Sequence, residues 1–233
     1  MNQGFNFNFR PLFRIAWYLA LAMLILILIQ IVVYVIAPPP TTVTGLFELY
    51  QQNPFLGLVS LDFLYLFNNI IIVVIYLALS VILYREKPSV VLLALILGLI
   101  GVACYYPSNP AFEMMNLSKQ YFLVQPEQQA IYLAAGEALM AGYTGTTFDT
   151  YYVLSTVCLL MFAWALIKSP QFKKSVGLWG LVSGFFMIIP SSAGMLGMIF
   201  SLLSLIPWVV FIALLMVHFR KQLKNNDLER NQV

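Results

Sequence analysis

From Ile15 to Ala37 the chain carries no charged side chain, and comparable apolar runs recur as far as Phe219. Hydrocarbon offers a backbone N–H or C=O no water to bond, so such runs must satisfy themselves as helices or close into a barrel. The runs are continuous rather than alternating, which excludes the period of two that a barrel strand requires. Helices remain, each needing about 20 residues to cross the bilayer. Charged residues make up 9% of the 233-residue chain, against about 25% in a soluble domain. The expected fold class is all-α: a polytopic membrane helix bundle of six transmembrane helices, one domain over residues 1–233.

Proline and asparagine mark the boundaries. Spans are expected at about 13–37, 54–84, 89–106, 147–168, 175–189 and 195–219. The run behind Arg10 and Arg14 exceeds the ~7–15 apolar residues of a cleavable signal sequence, so it reads as a retained anchor. Trp17 and Tyr18 suit its inner interface. Pro38-Pro39-Pro40 ends that span, because proline has no N–H to continue the ladder. Asn53-Pro54 and Asn109-Pro110 each read as a cap followed by proline at the first helical position. Short amphipathic helices are expected on the outer face at about 43–52 and 110–143. Pro207 predicts a mild kink in the last span.

Charge gives the orientation. Eleven of the twelve basic residues fall on one side of this pattern: Arg10 and Arg14, the loops at 85–88 and 168–174, and the tail from Arg220. Only Lys119 falls on the other side, together with Glu48, Asp62, Glu113, Glu127, Glu137 and Asp149. Basic residues in short loops stay inside, so both termini are expected in the cytoplasm of a plasma or inner-membrane protein.

Candidate chemistry follows the buried polar residues. Residues 125–168 hold three of the nine acidic residues, Glu127, Glu137 and Asp149. Glu137 sits in AAGEALMAG, among alanines and glycines that would let another helix approach and strip its water. Tyr143, the hydroxyls at 144–147, Asp62, Asn68 and Asn69 are its candidate partners. The plainer reading is a solvated Glu137 on a surface helix. Asp62 and Asn69 are seven residues apart and share a helix face with Tyr65. That face predicts a polar pocket opening outward, joined by Asp149, Tyr151 or Tyr152, since polar residues inside a membrane turn toward the bundle. The plainer alternative is interhelical hydrogen bonding by the asparagines and a wet Asp62.

Other chemistries find no support. One histidine, His218, and two cysteines, Cys104 and Cys158, are too few for a His/Cys metal site, and the cysteines fall at different depths. His218 reads as a headgroup contact beside Arg220 and Lys221. Thr144-Gly145-Thr146-Thr147 lacks the Gly-Lys-Ser/Thr ending of a phosphate loop. No catalytic residue, metal or cofactor is expected, and no nucleic-acid partner. Gly180-x-x-x-Gly184 is a seam for close helix approach, open to a packing partner.

The runs YPSNPAFEMMNLSKQY, QQAIYLAAGEALMAGYTGT, IKSPQFKKSVGLWGLVSG and PSSAGMLGMIFSLLSLIPW resemble a prokaryotic family of multi-pass membrane proteins known only as a domain of unknown function. The resemblance covers about residues 62–218. It implies a six-helix membrane fold and brings no activity, cofactor or catalytic residue with it. The function expected is non-enzymatic binding of a lipid, a small apolar ligand or a protein partner through the outer half. The alternative is a small cation- or proton-coupled transporter using Glu137, Asp62 or Asp149; an intramembrane enzyme ranks behind both.

Overall fold

The structure is a computed structural model that describes residues 8–230; the lead before Asn8 and the side chains from 225 onward, Arg230's included, lie outside the described residues. These residues form ten helices. In order they are α1 (Arg10–Ile36), α2 (Val43–Gln52), α3 (Pro54–Ser60), α4 (Phe63–Leu83) and α5 (Pro88–Ser108). There follow α6 (Ala111–Tyr121), α7 (Pro126–Tyr143), α8 (Thr146–Lys168), α9 (Lys174–Phe186) and α10 (Gly194–Arg230).

Five helical stretches are long and apolar enough to cross a membrane: Arg10–Ile36, Phe63–Leu83, Pro88–Tyr121, Pro126–Lys168 and Gly194–Lys224. This is the fold of an all-helical membrane protein. The remaining bundle helix, α9, has 13 residues, a rise of about 20 Å against a hydrocarbon core of about 30 Å.

Six helices pack as a closed ring. α1 lies against α4 and α10, α4 against α5, α5 against α8, α8 against α9, and α9 against α10. Lipid tails are as apolar as leucine, so burial alone does not hold such helices together; close van der Waals packing does. Glycines permit it. A Cβ on Gly98 would sit 2.6 Å from the Cys158 sulfur, and one on Gly177 would sit 2.5 Å from the Ala163 carbonyl oxygen. Cys104 and Cys158 are both free thiols. The Gly180–Gly184 seam, expected to be open to a partner, is filled from within the chain. A Cβ on Gly180 would meet Ala163 at 3.0 Å and Phe211 at 3.2 Å, and one on Gly184 would meet Leu160 at 2.6 Å.

One end of the ring is closed by a solid apolar plug, in which Leu79, Leu83, Phe162, Leu166, Phe211 and Leu215 are fully buried. The same end gathers the start of α1, the end of α10 and two loops. Phe13 stacks on Phe219 with centroids 6.4 Å apart. Glu86 accepts from Ser169 Oγ at 3.1 Å and from Gln171 Nε2 at 2.7 Å. His218, expected at a headgroup, instead stacks on Phe172 at 3.7 Å and pairs with Gln222 at 3.1 Å.

At the opposite end α2, α3, α6 and α7 form a cap around Leu46, Phe47, Tyr50, Ala111 and Met114. Thr42 caps α2 by accepting from Gly45 N, and Asn53 caps α3 by accepting from Leu56 N, with Pro54 at the first position. Tyr50 donates to the Ala111 carbonyl at 2.8 Å, and Ser118 donates to the Phe47 carbonyl at 2.7 Å. Asn109 Oδ1 accepts from Ala111 N at 3.2 Å, as its motif suggests, but α6 starts one residue later, at Ala111, with Pro110 in the cap position. The largest departure lies in the stretch expected as one span at 54–84. It is two helices, α3 and α4, broken at Leu61 and Asp62.

Candidate functional site

The site is built on that break. Asp62 holds a left-handed backbone at φ 57°, the one non-glycine residue with positive φ among those described. Aspartate tolerates this conformation better than most side chains. Ending a helix disturbs the carbonyl ladder, and two neighbouring segments add side-chain donors at the break. Gln30 Nε2 donates to Val59 O at 3.2 Å, Asn109 Nδ2 to Leu61 O at 2.7 Å, and Tyr105 OH to Asp62 O at 3.5 Å. Val59 O and Asp62 O also accept from the Asp62 and Tyr65 backbone N–H groups, so Leu61 O alone relies on a side chain, and the break is braced by α1 and by the end of α5.

The Asp62 side chain then ties the cap to the ring. Tyr34, in the last turns of α1, donates to Oδ1 at 2.7 Å. Tyr143, the last residue of α7, donates to Oδ2. Burial pushes the Asp62 carboxyl above the ordinary carboxylate range, while the Tyr143 and Tyr34 hydroxyls pull it back.

Beneath Asp62 lies a cavity of about 380 Å³, enclosed by α1, α4, α5, α8 and α10 and roofed by Tyr143. Its size falls in the usual range for small-molecule pockets, about 300–1,000 Å³. Tyr34, Tyr65, Tyr76, Tyr105, Tyr143, Tyr151 and Tyr152 all line it, together with Trp208 and Phe148. The rings brace one another: Tyr105 and Tyr151 lie 4.8 Å apart and Tyr65 and Tyr105 5.9 Å apart. No Lys, Arg or Glu lines the cavity, so Asp62 is its single formal charge. Deeper on the α4 wall, Asn68 and Asn69 are 6% and 2% exposed. Asn68 Oδ1, Asn69 Nδ2 and, on the α1 wall, Gln30 Oε1 are buried atoms without a partner among the described residues.

Of the residues singled out by sequence, Asp62, Asn68, Asn69 and Tyr143 meet in this cavity. Glu137 and Asp149 do not. Asp149 accepts from Ser192 Oγ and so ties the start of α8 to the turn before α10. Glu137 is exposed. The close approach expected at Glu137 falls on its neighbour: a Cβ on Gly136 would sit 2.5 Å from Val43 Cγ1, and the next residue along a helix points to another face. Glu137→Gln and Glu137→Leu are each expected to melt within about 2 °C of the parent in detergent. A larger drop for Leu alone would place the carboxylate in a buried network after all.

Sequence reasoning passed over Tyr34 and Gln30. Both were legible: Gln30 is the one amide in the apolar run of α1, and Tyr34 lies four residues on, on the same face. Tyr105 and Trp208 carried no comparable signal, since an aromatic residue in a membrane helix has many uses. Among the described residues no cluster of three His, Cys, Asp or Glu side chains could hold a metal ion. No family model, curated protein or solved structure matches the chain.

Proposed function

We propose that this membrane protein is a non-enzymatic binder of a small amphipathic molecule, held in the central cavity in its outer half. The observation that carries the reading is the wall itself: mostly apolar and aromatic, with one carboxylate and buried amides that lack partners. An apolar cavity with a few convergent polar groups is the usual form of a ligand site. Leaving buried amide atoms unpaired costs roughly 1–3 kcal/mol each, which a ligand or trapped water offsets.

We also propose that α9, continued by residues 187–189, completes a sixth crossing, with both termini and the loops at 85–88 and 169–174 in the cytoplasm. The clustering of Phe13, Glu86, Gln171 and Phe219 at one end supports an even number of crossings. The basic residues at that end support the orientation. The cap of α2, α3, α6 and α7 then faces outward. In cells, Gln171→Cys should react with a membrane-impermeant thiol reagent only after the membrane is opened. Labelling on intact cells would reverse the orientation.

Leu205 lines the cavity, whereas Leu202 on the same helix is 59% exposed on its outer surface. Leu205→Trp should fill the cavity, while Leu202→Trp should leave it unchanged. Mass spectrometry of protein extracted from its own membranes is expected to find a small molecule retained by the parent and by Leu202→Trp and lost from Leu205→Trp. Equal retention by all three variants would count against the cavity.

Coupled transport is the second reading, favoured by a lone carboxylate at the head of the central cavity. It rests on Asp62, because Glu137 and Asp149 lie outside the cavity. It also requires the plug around Leu79, Phe162 and Phe211 to part.

A further inference from the structure

We infer that the molecule bound in the central cavity is an organic cation: a protonated amine with an apolar body, its nitrogen at Asp62 and its body among the tyrosines below. This rests on the ligand-binding reading and adds the chemical class. The first ground is charge. Asp62 is the one formal charge on the wall, and no basic side chain lines the cavity to neutralise it. An anion would face a carboxylate in a low-dielectric space, whereas a cation would complete an ion pair there.

The second ground is the aromatic wall. Ring faces attract cations, most strongly where water is excluded, and tyrosine and tryptophan do so well. Tyr34 and Tyr143 bracket the carboxylate, and Tyr65 and Tyr105 stand beside it. Trp208 lies on the far wall, contributed by α10. Such a lining accepts an ammonium together with a hydrocarbon body, where a lipid tail alone would need no acid.

The third ground is hydrogen bonding. Asp62 spends one bond on each oxygen and retains lone pairs. Gln30 Oε1 and Asn68 Oδ1, on the adjacent helices α1 and α4, add two carbonyl oxygens that have no donor among the described residues. With the free lone pairs of Asp62, these acceptors outnumber the one unpartnered amide donor, Asn69 Nδ2, and an ammonium with N–H groups supplies the donors they lack. A bare metal ion finds only one carboxylate and no second acidic ligand. An opposite charge close by also favours the ionised carboxyl, so the amine would hold Asp62 in the form that binds it.

The test uses the full-length protein in nanodiscs of zwitterionic lipid and four probes with the same chain: octylamine, octyltrimethylammonium, octanol and octanoate. Equilibrium dialysis at neutral pH is expected to give octylamine at least tenfold tighter binding than octanol or octanoate. That comparison needs no variant. Asp62→Asn should reduce octylamine binding at least tenfold and leave octanol unchanged; Asp62→Glu, which keeps the charge, should recover part of the loss.

Octanol or octanoate binding as tightly as octylamine would overturn the cation, while the cavity stands if Leu205→Trp abolishes that binding. Octyltrimethylammonium matching octylamine would overturn the hydrogen-bonded amine, because it has no N–H to give. If none of the four binds the parent, both this inference and the ligand-binding reading fall.

Discussion

Asp62→Leu is expected to be the most damaging single substitution in the capped half of the ring, lowering stability by about 3–8 kcal/mol. Two contributions add. Tyr34 and Tyr143 lose their shared acceptor, and each buried hydroxyl left unpaired costs about 1–3 kcal/mol. Leucine must also hold the left-handed backbone of position 62, at about 1–2 kcal/mol. Asp62→Gly removes the backbone cost but not the orphaned hydroxyls, so it should fall in between. Asp62→Asn tolerates the backbone and still offers one oxygen, so it should be the mildest. Adding Tyr34→Phe and Tyr143→Phe to Asp62→Leu removes the orphaned groups and should recover part of the loss. Thermal melts in a single detergent decide the order. A parent-like melt for Asp62→Leu would mean that the cap is held by its apolar contacts alone.

Gly177→Leu should come next, at about 3 kcal/mol. A Cβ there would lie 2.5 Å from the Ala163 carbonyl oxygen and 2.9 Å from the Ile167 amide nitrogen. Both are backbone atoms of α8, which cannot rotate aside as a side chain can. The helices would have to separate, and α9 would lose its seat between α8 and α10. Gly142→Ala makes the contrasting case. Nothing lies within 4 Å of its Cβ position, so the change acts on helix propensity alone and should stabilise α7 by up to about 1 kcal/mol. If both variants melted alike, close approach at Gly177 would not be what holds α9 in place.

The ring was legible because its signal is local and strong. Each long apolar run must be a helix in lipid whatever its neighbours do, and proline and asparagine mark where most of them begin. The break at Leu61 and Asp62 was not, because LVSLDFLYLF holds neither glycine nor proline. Its braces sit far along the chain, in Gln30, Tyr105 and Asn109, whose side chains donate to carbonyls at the break. A donor 48 residues away in sequence, as Asn109 is from Leu61, leaves no mark on the local pattern. Asp62, Asn68 and Asn69 were found because polar side chains stand out in an apolar run. Glu137 was misplaced because small residues identify a face that can pack closely without saying which of them does. Gly136 takes that contact. The Gly180–Gly184 seam shows the same limit: the motif reports a close approach, and here the approaching helices belong to the same chain.

The bond from Tyr143 to Asp62 makes one carboxylate serve two ends. On the amine reading, a guest that shares Oδ2 with the hydroxyl that fastens the cap weakens that bond by drawing on the same charge, so occupancy and cap docking are thermodynamically coupled. Such coupling is reciprocal. By whatever factor the guest weakens the hold on α7, an agent that pulls α7 away will tighten the guest by the same factor. The outward face of α7, with Ile131 68% exposed and Glu137 exposed beside the contact at Gly136, is thereby a handle on a cavity that it does not touch.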